Sequence, residues 1–306
     1  MPRAAVGSPS ALLQHQPEGV TPATLAESLL SGRNPDGGWG YFPGKASRLE
    51  PTAWASLALR ETIDTTGVPV LLADWPTSDG LLLERAGGAP NYGFHGLALL
   101  VMRACRIEHR LGNDVLLDAL QRVKGIALEP STHSRQNNAL QGWSWIAETF
   151  SWVEPTAWCL LSLKKWAKRP GARVDPQRLD EAERLLIDRG CLSGGWNYGN
   201  SNMLGQELKP YVPTTAVALL ALQDLRDHPV VARSLDYLEH AATSERSGGA
   251  LALALLALQA CGRAHEPVRT ALHEQLSITM EHRNHATIAL AHCALGSERT
   301  HAAFAL

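Results

Sequence analysis

The sequence predicts an all-α protein built as a single (α/α)6 toroid, six inner helices ringed by six outer ones, and three observations carry that prediction. The string Glu-Pro-Thr-Ala-Trp occurs twice, at Glu50–Trp54 and at Glu154–Trp158. Each copy follows a glycine- and aromatic-bearing segment, Gly37-Gly38-Trp39-Gly40-Tyr41 and Gln141-Gly142-Trp143-Ser144-Trp145. A degraded third copy pairs Gly194-Gly195-Trp196-Asn197-Tyr198 with Val212-Pro213-Thr214-Thr215-Ala216-Val217. Self-similarity at intervals of tens of residues marks a repeat architecture. Second, six Ala/Leu-rich segments are apolar nearly all round, as helices buried on every face must be. Third, amphipathic segments with charged faces alternate with them, and strand-like alternation is nearly absent.

In chain order, Thr21–Leu30 is the first amphipathic helix and Pro51–Glu61 the first inner one. Val68–Arg85 is a less regular outer segment, followed by the inner His95–Cys105. Asp114–Lys124 and Pro155–Trp166 form the third pair. Asp175–Asp188 has the clearest pattern, with Leu179, Ala182, Leu185 and Leu186 on one face. Its Asp175-Pro176 start combines an N-cap residue with proline at the first position, and Gly190 is its stop. Pro213–Asp224, Pro229–His240, Gly249–Cys261, Pro267–Glu281 and His285–Leu295 complete the alternation. An open superhelical solenoid is the alternative; a count of six with wholly apolar inner helices favours closure. Residues 21–296 are thus the toroid, 1–20 a poorly ordered arm and 297–306 a short tail of no evident role.

The composition narrows the function classes. A net charge of −2 gives no reason to expect nucleic acid as a partner. Five scattered cysteines in apolar runs argue against a disulfide framework and fit a reducing compartment. No signal-peptide pattern is visible at the N-terminus, and the longest apolar run, Gly248 to Ala260, is only about 13 residues, too short to span a bilayer. A soluble, cytoplasmic protein follows, with peripheral contact at a membrane surface left open and any protein partner unknown.

Closure dictates where to look for chemistry. Inner helices of such a ring run roughly parallel, so their N-termini open at one end. Their first residues are Glu50, His95, Glu154, Tyr211 or Val212, Gly248 and His285. Around them gather Trp39, Tyr41, Trp143, Trp145, Trp152, Trp196 and Tyr198. Glu50 and Glu154 are the candidate catalytic carboxyls; the aromatic residues, with Tyr211, His95 and His285, are candidate substrate contacts. Burial raises a carboxyl pKa and keeps its proton. Two glutamates and two histidines also suit zinc or another divalent metal, but they come from separate repeats, so no cofactor is expected and no residue is assigned to a metal. The plainer reading is that each glutamate simply starts a helix, where unpaired N–H groups and the dipole stabilise a carboxylate by roughly 0.3–1 kcal/mol.

Gly-Gly-Trp-Gly-Tyr followed by Glu-Pro-Thr-Ala-Trp-Ala-Ser-Leu-Ala-Leu resembles the repeats of squalene-hopene and other terpenoid cyclases, and those of protein prenyltransferase β-subunits. Gln136 to Trp143 is similar to the cyclases' glutamine–tryptophan repeat in a loose form. The resemblance runs from about Pro35 to Leu295 and implies a toroid enclosing an aromatic-lined cavity for a polyprenyl or other lipidic substrate. The cyclases' Asp-x-Asp-Asp-Thr-Ala acid motif matches Arg48-Leu49-Glu50-Pro51-Thr52-Ala53 and Trp152-Val153-Glu154-Pro155-Thr156-Ala157, with glutamate in place of the proton-donating aspartate and the flanking aspartates missing. The Asp-x-Cys and Tyr-His-Thr zinc strings of the prenyltransferases are absent. Acid-initiated cyclisation is therefore the expected activity, metal-dependent prenyl transfer the enzymatic alternative, and a non-catalytic isoprenoid- or protein-binding toroid the competing class. A glycan-acting (α/α)6 barrel is a further option, since paired carboxylates and aromatic sugar platforms suit such a mouth.

Overall fold

The computed structural model describes residues 19–62, 79–133 and 135–306. Twelve α-helices are found among them: α1 (Pro22–Ser31), α2 (Leu49–Ala58), α3 (Tyr92–Cys105), α4 (Asn113–Arg122), α5 (Val153–Ala167), α6 (Pro176–Asp188), α7 (Val212–Ala221), α8 (Pro229–Ala241), α9 (Gly248–Ala260), α10 (Glu266–His282), α11 (His285–Leu295) and α12 (Glu298–His301). A two-stranded antiparallel ribbon, β1 (Asn202–Met203) and β2 (Gln206–Glu207), is the sole sheet among the described residues. The expected arm, residues 1–20, lies outside the described residues up to residue 18.

The six apolar segments form the inner ring. Helix α2 packs on α3, α3 on α5, α5 on α7, α7 on α9, and α9 on α11, which returns to α2 and closes the circle. Outside it, α1 lies against α11, α4 against α3, α6 against α5, α8 against α7, and α10 against α9 and α11. Alanine and leucine dominate the ring because an inner helix has inner neighbours on two sides, the outer layer behind it and the axis in front. At Gly96 the α3–α5 approach is so close that a Cβ would sit 2.8 Å from the Cys159 backbone nitrogen. All five cysteines are free and buried. Among the described residues no helix is long and apolar enough to cross a membrane.

One device, repeated, ties the two layers together. The amide of Trp39 donates to Thr52 Oγ1 at 2.9 Å, that hydroxyl donates back to the Trp39 carbonyl at 3.2 Å, and the indole N–H reaches Leu29 O near the end of α1 at 2.7 Å. Trp143 does the same with Thr156 and Leu120 O of α4. Trp196 does so with Thr215 and Leu186 O of α6. Each tryptophan thus donates to a carbonyl in the last turn of an outer helix while being pinned to the inner helix. All three rings are fully buried. In the third copy it is Thr215, not Thr214, that makes this contact, so Pro213 stands where the glutamates stand in the other two.

Two expectations need adjustment. Most of Val68–Arg85 lies outside the described residues, and its last part, from Asp79, is bend and bridge rather than helix, with Leu83 bridging Pro90. The segment after Gly296 has a packing role: α12 turns Phe304 inward, where it is fully buried and stacks on Trp54 with ring centroids 5.8 Å apart.

Candidate active site

Glu50 and Glu154 each occupy the second position of an inner helix, α2 and α5. The remaining inner helices carry Gly93, Pro213, Gly249 and Ala286 at that position, so the two glutamates are the ionisable groups of this layer. The N-termini lie together because loop carbonyls link them. Tyr41 O accepts from His285 N, Glu84 O from Leu49 N, Trp145 O from Tyr92 N and Tyr198 O from Val153 N. The residue two past each repeat tryptophan therefore caps a neighbouring inner helix.

Both glutamates keep some exposure although protein surrounds them. The Tyr41 hydroxyl donates a short hydrogen bond to Glu50 Oε2. Burial raises the Glu50 pKa, opposed by that hydroxyl; the charge of Glu84 raises it further, and the Trp54 indole N–H opposes. Glu154 is pushed up to about 7, first by burial and then by the charge of Glu50, with the Trp158 indole N–H opposing. Both carboxyls are thus raised by burial, and the two are coupled, since the charge of Glu50 adds to the rise at Glu154. A carboxylate that merely started a helix would be shifted down by the helix dipole; here burial wins in both copies.

One helical turn below the carboxyls, Trp54 and Trp158 meet edge to face with centroids 5.6 Å apart, although α2 and α5 are separated in the ring by α3. With Phe304 beneath, these buried rings plug the axis. The Glu-Pro-Thr-Ala-Trp string thus carries its whole plan at helical spacing: a carboxyl toward the mouth, a threonine toward the loop, an indole toward the axis.

The other predicted contacts divide into three groups. Trp39, Trp143 and Trp196 lie between the layers, as described above, and not on the mouth surface. His95 is fully buried at the position threonine holds in the other repeats. Its Nδ1 accepts from Leu82 N at 2.9 Å and its Nε2–H donates to Leu116 O at 3.2 Å, so the ring is neutral. His285 is likewise buried, with Nδ1–H donating to Gly40 O at 2.8 Å. Trp145 lies over Gly93, where a Cβ would come within 2.7 Å of the indole, and packs on Phe94. Trp152, Tyr198 and Tyr211 remain at the rim. With Phe150 they form a continuous ladder: Phe150 on Trp152 at 4.9 Å, Trp152 on Tyr198 at 6.2 Å, Tyr198 on Tyr211 at 5.0 Å. This ladder lines an open groove of about 490 Å³ together with Asn197, Asn200, Glu207 and Lys209.

Glu84, Trp54 and Trp158 are site residues that the sequence pattern left unmarked. Glu84 sits two residues after Leu82, as Tyr41 sits two after Trp39, and it pairs with Arg48 through both carboxylate oxygens. The signal for it was the Leu82/His95 pair replacing Trp/Thr. Among the described residues no three His, Cys, Asp or Glu side chains converge as a metal-ligand group.

Burial depresses the His95 pKa to about 4. An imidazole depressed in the fold stabilises it above the unfolded pKa near 6.5, and that stability is lost as pH falls toward 4. We expect the wild-type unfolding free energy to drop by about 3 kcal/mol over this window relative to His95→Gln. Parallel urea titrations from pH 7 to 4 with the same slope in both proteins would refute the assignment.

No family model matches the chain, and no curated protein matches it. Solved structures do. Two glycosidase variants, each with one glutamate replaced by alanine, are similar at 11% identity over 90% of this chain and 96% of theirs, with TM-scores of 0.55 and, for the one in complex with glucose, 0.57. The type II terpene cyclase MstE from Scytonema is similar at 16% identity over 85% of this chain and 78% of its own, with a TM-score of 0.52. The likeness is one of fold. The chain is an α/α toroid, the architecture it shares with both kinds of enzyme.

Proposed function

We propose that this toroid cleaves glycosidic bonds at its mouth, with Glu154 as the proton donor and Glu50 as its ionised partner. The observation that carries the reading is the placement of two buried carboxyls at the same level of the mouth, each at the second position of an inner helix, with Glu154 pushed up to about 7 by burial and by the charge of Glu50. A coupled pair of carboxyls is what acetal cleavage needs, one to protonate the leaving oxygen and one to face the developing oxocarbenium charge. Glu50 is held for that task by the Tyr41 hydroxyl. The rim supports the same substrate class, because an open groove that alternates aromatic faces with amide and charged side chains suits sugar rings.

A second reading follows from the buried floor and the repeat resemblance. Trp54 and Trp158 offer aromatic faces beneath the carboxyls, where a carbocation would gain about 0.5–2 kcal/mol per ring. Acid-initiated cyclisation of an isoprenoid uses those features, with Glu154 again as the acid. It demands more of them, because an alkene is a weaker base than an acetal oxygen and a carboxyl shifted upward is a weaker acid. Metal-dependent prenyl transfer gains no comparable support from the described residues.

The two readings are separated by products. The purified chain is incubated with a panel of glucose-containing and other neutral oligosaccharides, and in parallel with squalene and prenyl diphosphates. New reducing ends formed only on the oligosaccharides are expected, with Trp152→Ala lowering kcat/KM at least tenfold through the rim. Cyclic hydrocarbon products without sugar release would overturn the glycosidic reading in favour of the second.

A further inference from the structure

At the end of the ring opposite the glutamates, the last turns of α2, α3 and α5 surround a recess of about 280 Å³ with five cations: Arg60, Arg103, Arg106, Lys165 and Arg299. Among the described residues one acid stands at its edge, Glu61, 4.0 Å from both Arg60 and Arg299. Basic residues at helix C-termini normally complement the dipole and cap carbonyls. Lys165 does this, donating to Ala302 O at 2.8 Å and to Ala305 O. That explanation does not reach Arg60. Its side chain is 9% exposed, and among the described residues Nε has no hydrogen-bond acceptor, while Nη2 makes no hydrogen bond and has only the Glu61 carboxylate 4.0 Å away. Among the described residues Arg103 Nε likewise has no hydrogen-bond acceptor, its guanidinium lying 5.9 Å from the Trp166 ring centroid. A buried guanidinium with unmet donors is costly unless an acceptor arrives. Crowding of the cations is also felt at Lys165, whose pKa falls to about 8 by burial and by Lys168, Arg103 and Arg60.

We propose that this recess is a binding site for a phosphoryl group. Arg60 and Arg103 supply forked donors at its back, and Arg106 and Arg299, both solvent-exposed, close on the anion from the rim. The chemistry is shared by soluble phosphate or diphosphate and by the headgroup of an anionic lipid. The site lies a helix length from the carboxyls, so it stands independently of any reaction at the mouth.

The test uses the full chain. Isothermal titration with inorganic pyrophosphate, at fixed ionic strength, is expected to give saturable binding with Kd below 1 mM (that is, tighter than about −4 kcal/mol) and a rise in Tm. Arg106→Gln and Arg299→Gln, which alter exposed side chains, are each expected to weaken it at least fivefold without changing the far-UV spectrum. A second arm measures co-sedimentation with vesicles of phosphatidic acid in phosphatidylcholine. Binding there but not to pyrophosphate identifies the lipid headgroup as the source, and the same two variants must abolish it. Absence of binding in both arms, or binding unaltered in both variants, or equal displacement by chloride, overturns the proposal.

Discussion

Glu154→Gln is expected to reduce kcat/KM by 10²–10⁴-fold while making the protein more stable above neutral pH. The first effect is the usual contribution of a positioned general acid. Glutamine keeps the size and the polar contact of the side chain but has no proton to give. The second effect follows from the same burial. The Glu154 pKa is raised in the fold from 4.5 to about 7. A carboxyl raised in this way stabilises the folded state at low pH, and that contribution is lost as pH rises through the folded value. Wild-type stability should therefore fall between about pH 5 and 7 by on the order of 2–3 kcal/mol, and the variant should lack that loss. Glu50→Gln should lose activity as well and, because burial raises that carboxyl too, should gain stability above neutral pH in the same direction, its amide oxygen still accepting from the Tyr41 hydroxyl. Urea denaturation at pH 5 and pH 8 alongside steady-state kinetics reads both effects. Activity retained within threefold in Glu154→Gln would remove the acid assignment. A wild-type pH–rate profile without a falling limb near pH 7 would count against it equally.

The ring itself was legible because its signal is compositional: an Ala/Leu run with no polar face leaves few options but burial all round, and six such runs at repeat spacing give the closure that α11 makes with α2. The glutamates were legible because the motif recurs. What the repeat could not disclose was direction. Trp39 and Trp54 are both aromatic and close in sequence, yet one faces the outer layer and the other the axis. The difference is set by a threonine hydroxyl and an outer-helix carbonyl that come together only in the folded chain. His95 misled for the same reason. It begins an apolar helix like a site residue, but it takes the place of Thr52 in the layer joint, a substitution visible only once Leu82 N is seen to donate to it. Glu84 was hidden by the same divergent repeat.

Trp143→Ala should be among the most destabilising single substitutions in the chain, costing about 3–5 kcal/mol, the range for removing a buried large aromatic side chain. Several losses coincide there. The cavity opens between α4 and α5, and Leu120 O at the end of α4 is left without its indole donor. Arg178 is left as well: its guanidinium lies 3.6 Å from the Trp143 ring centroid and is almost wholly buried, held by the carbonyls of Val123, Gln141 and Gly142. Thr156→Val separates the hydrogen bonds from the volume. It keeps shape but strands the Trp143 amide, which should cost about 1–3 kcal/mol, whereas Thr156→Ser should cost less because the hydroxyl remains. Chemical denaturation of the three variants, with unchanged m-values as the check on two-state behaviour, orders them as Trp143→Ala, then Thr156→Val, then Thr156→Ser. If Thr156→Val proves neutral, the hydroxyl is not what joins the layers. Because Trp152 N donates to Trp143 O and Val153 begins the helix that carries Glu154, loosening this joint should also lower activity, through kcat more than KM. Stability and the position of the acid depend here on the same buried ring.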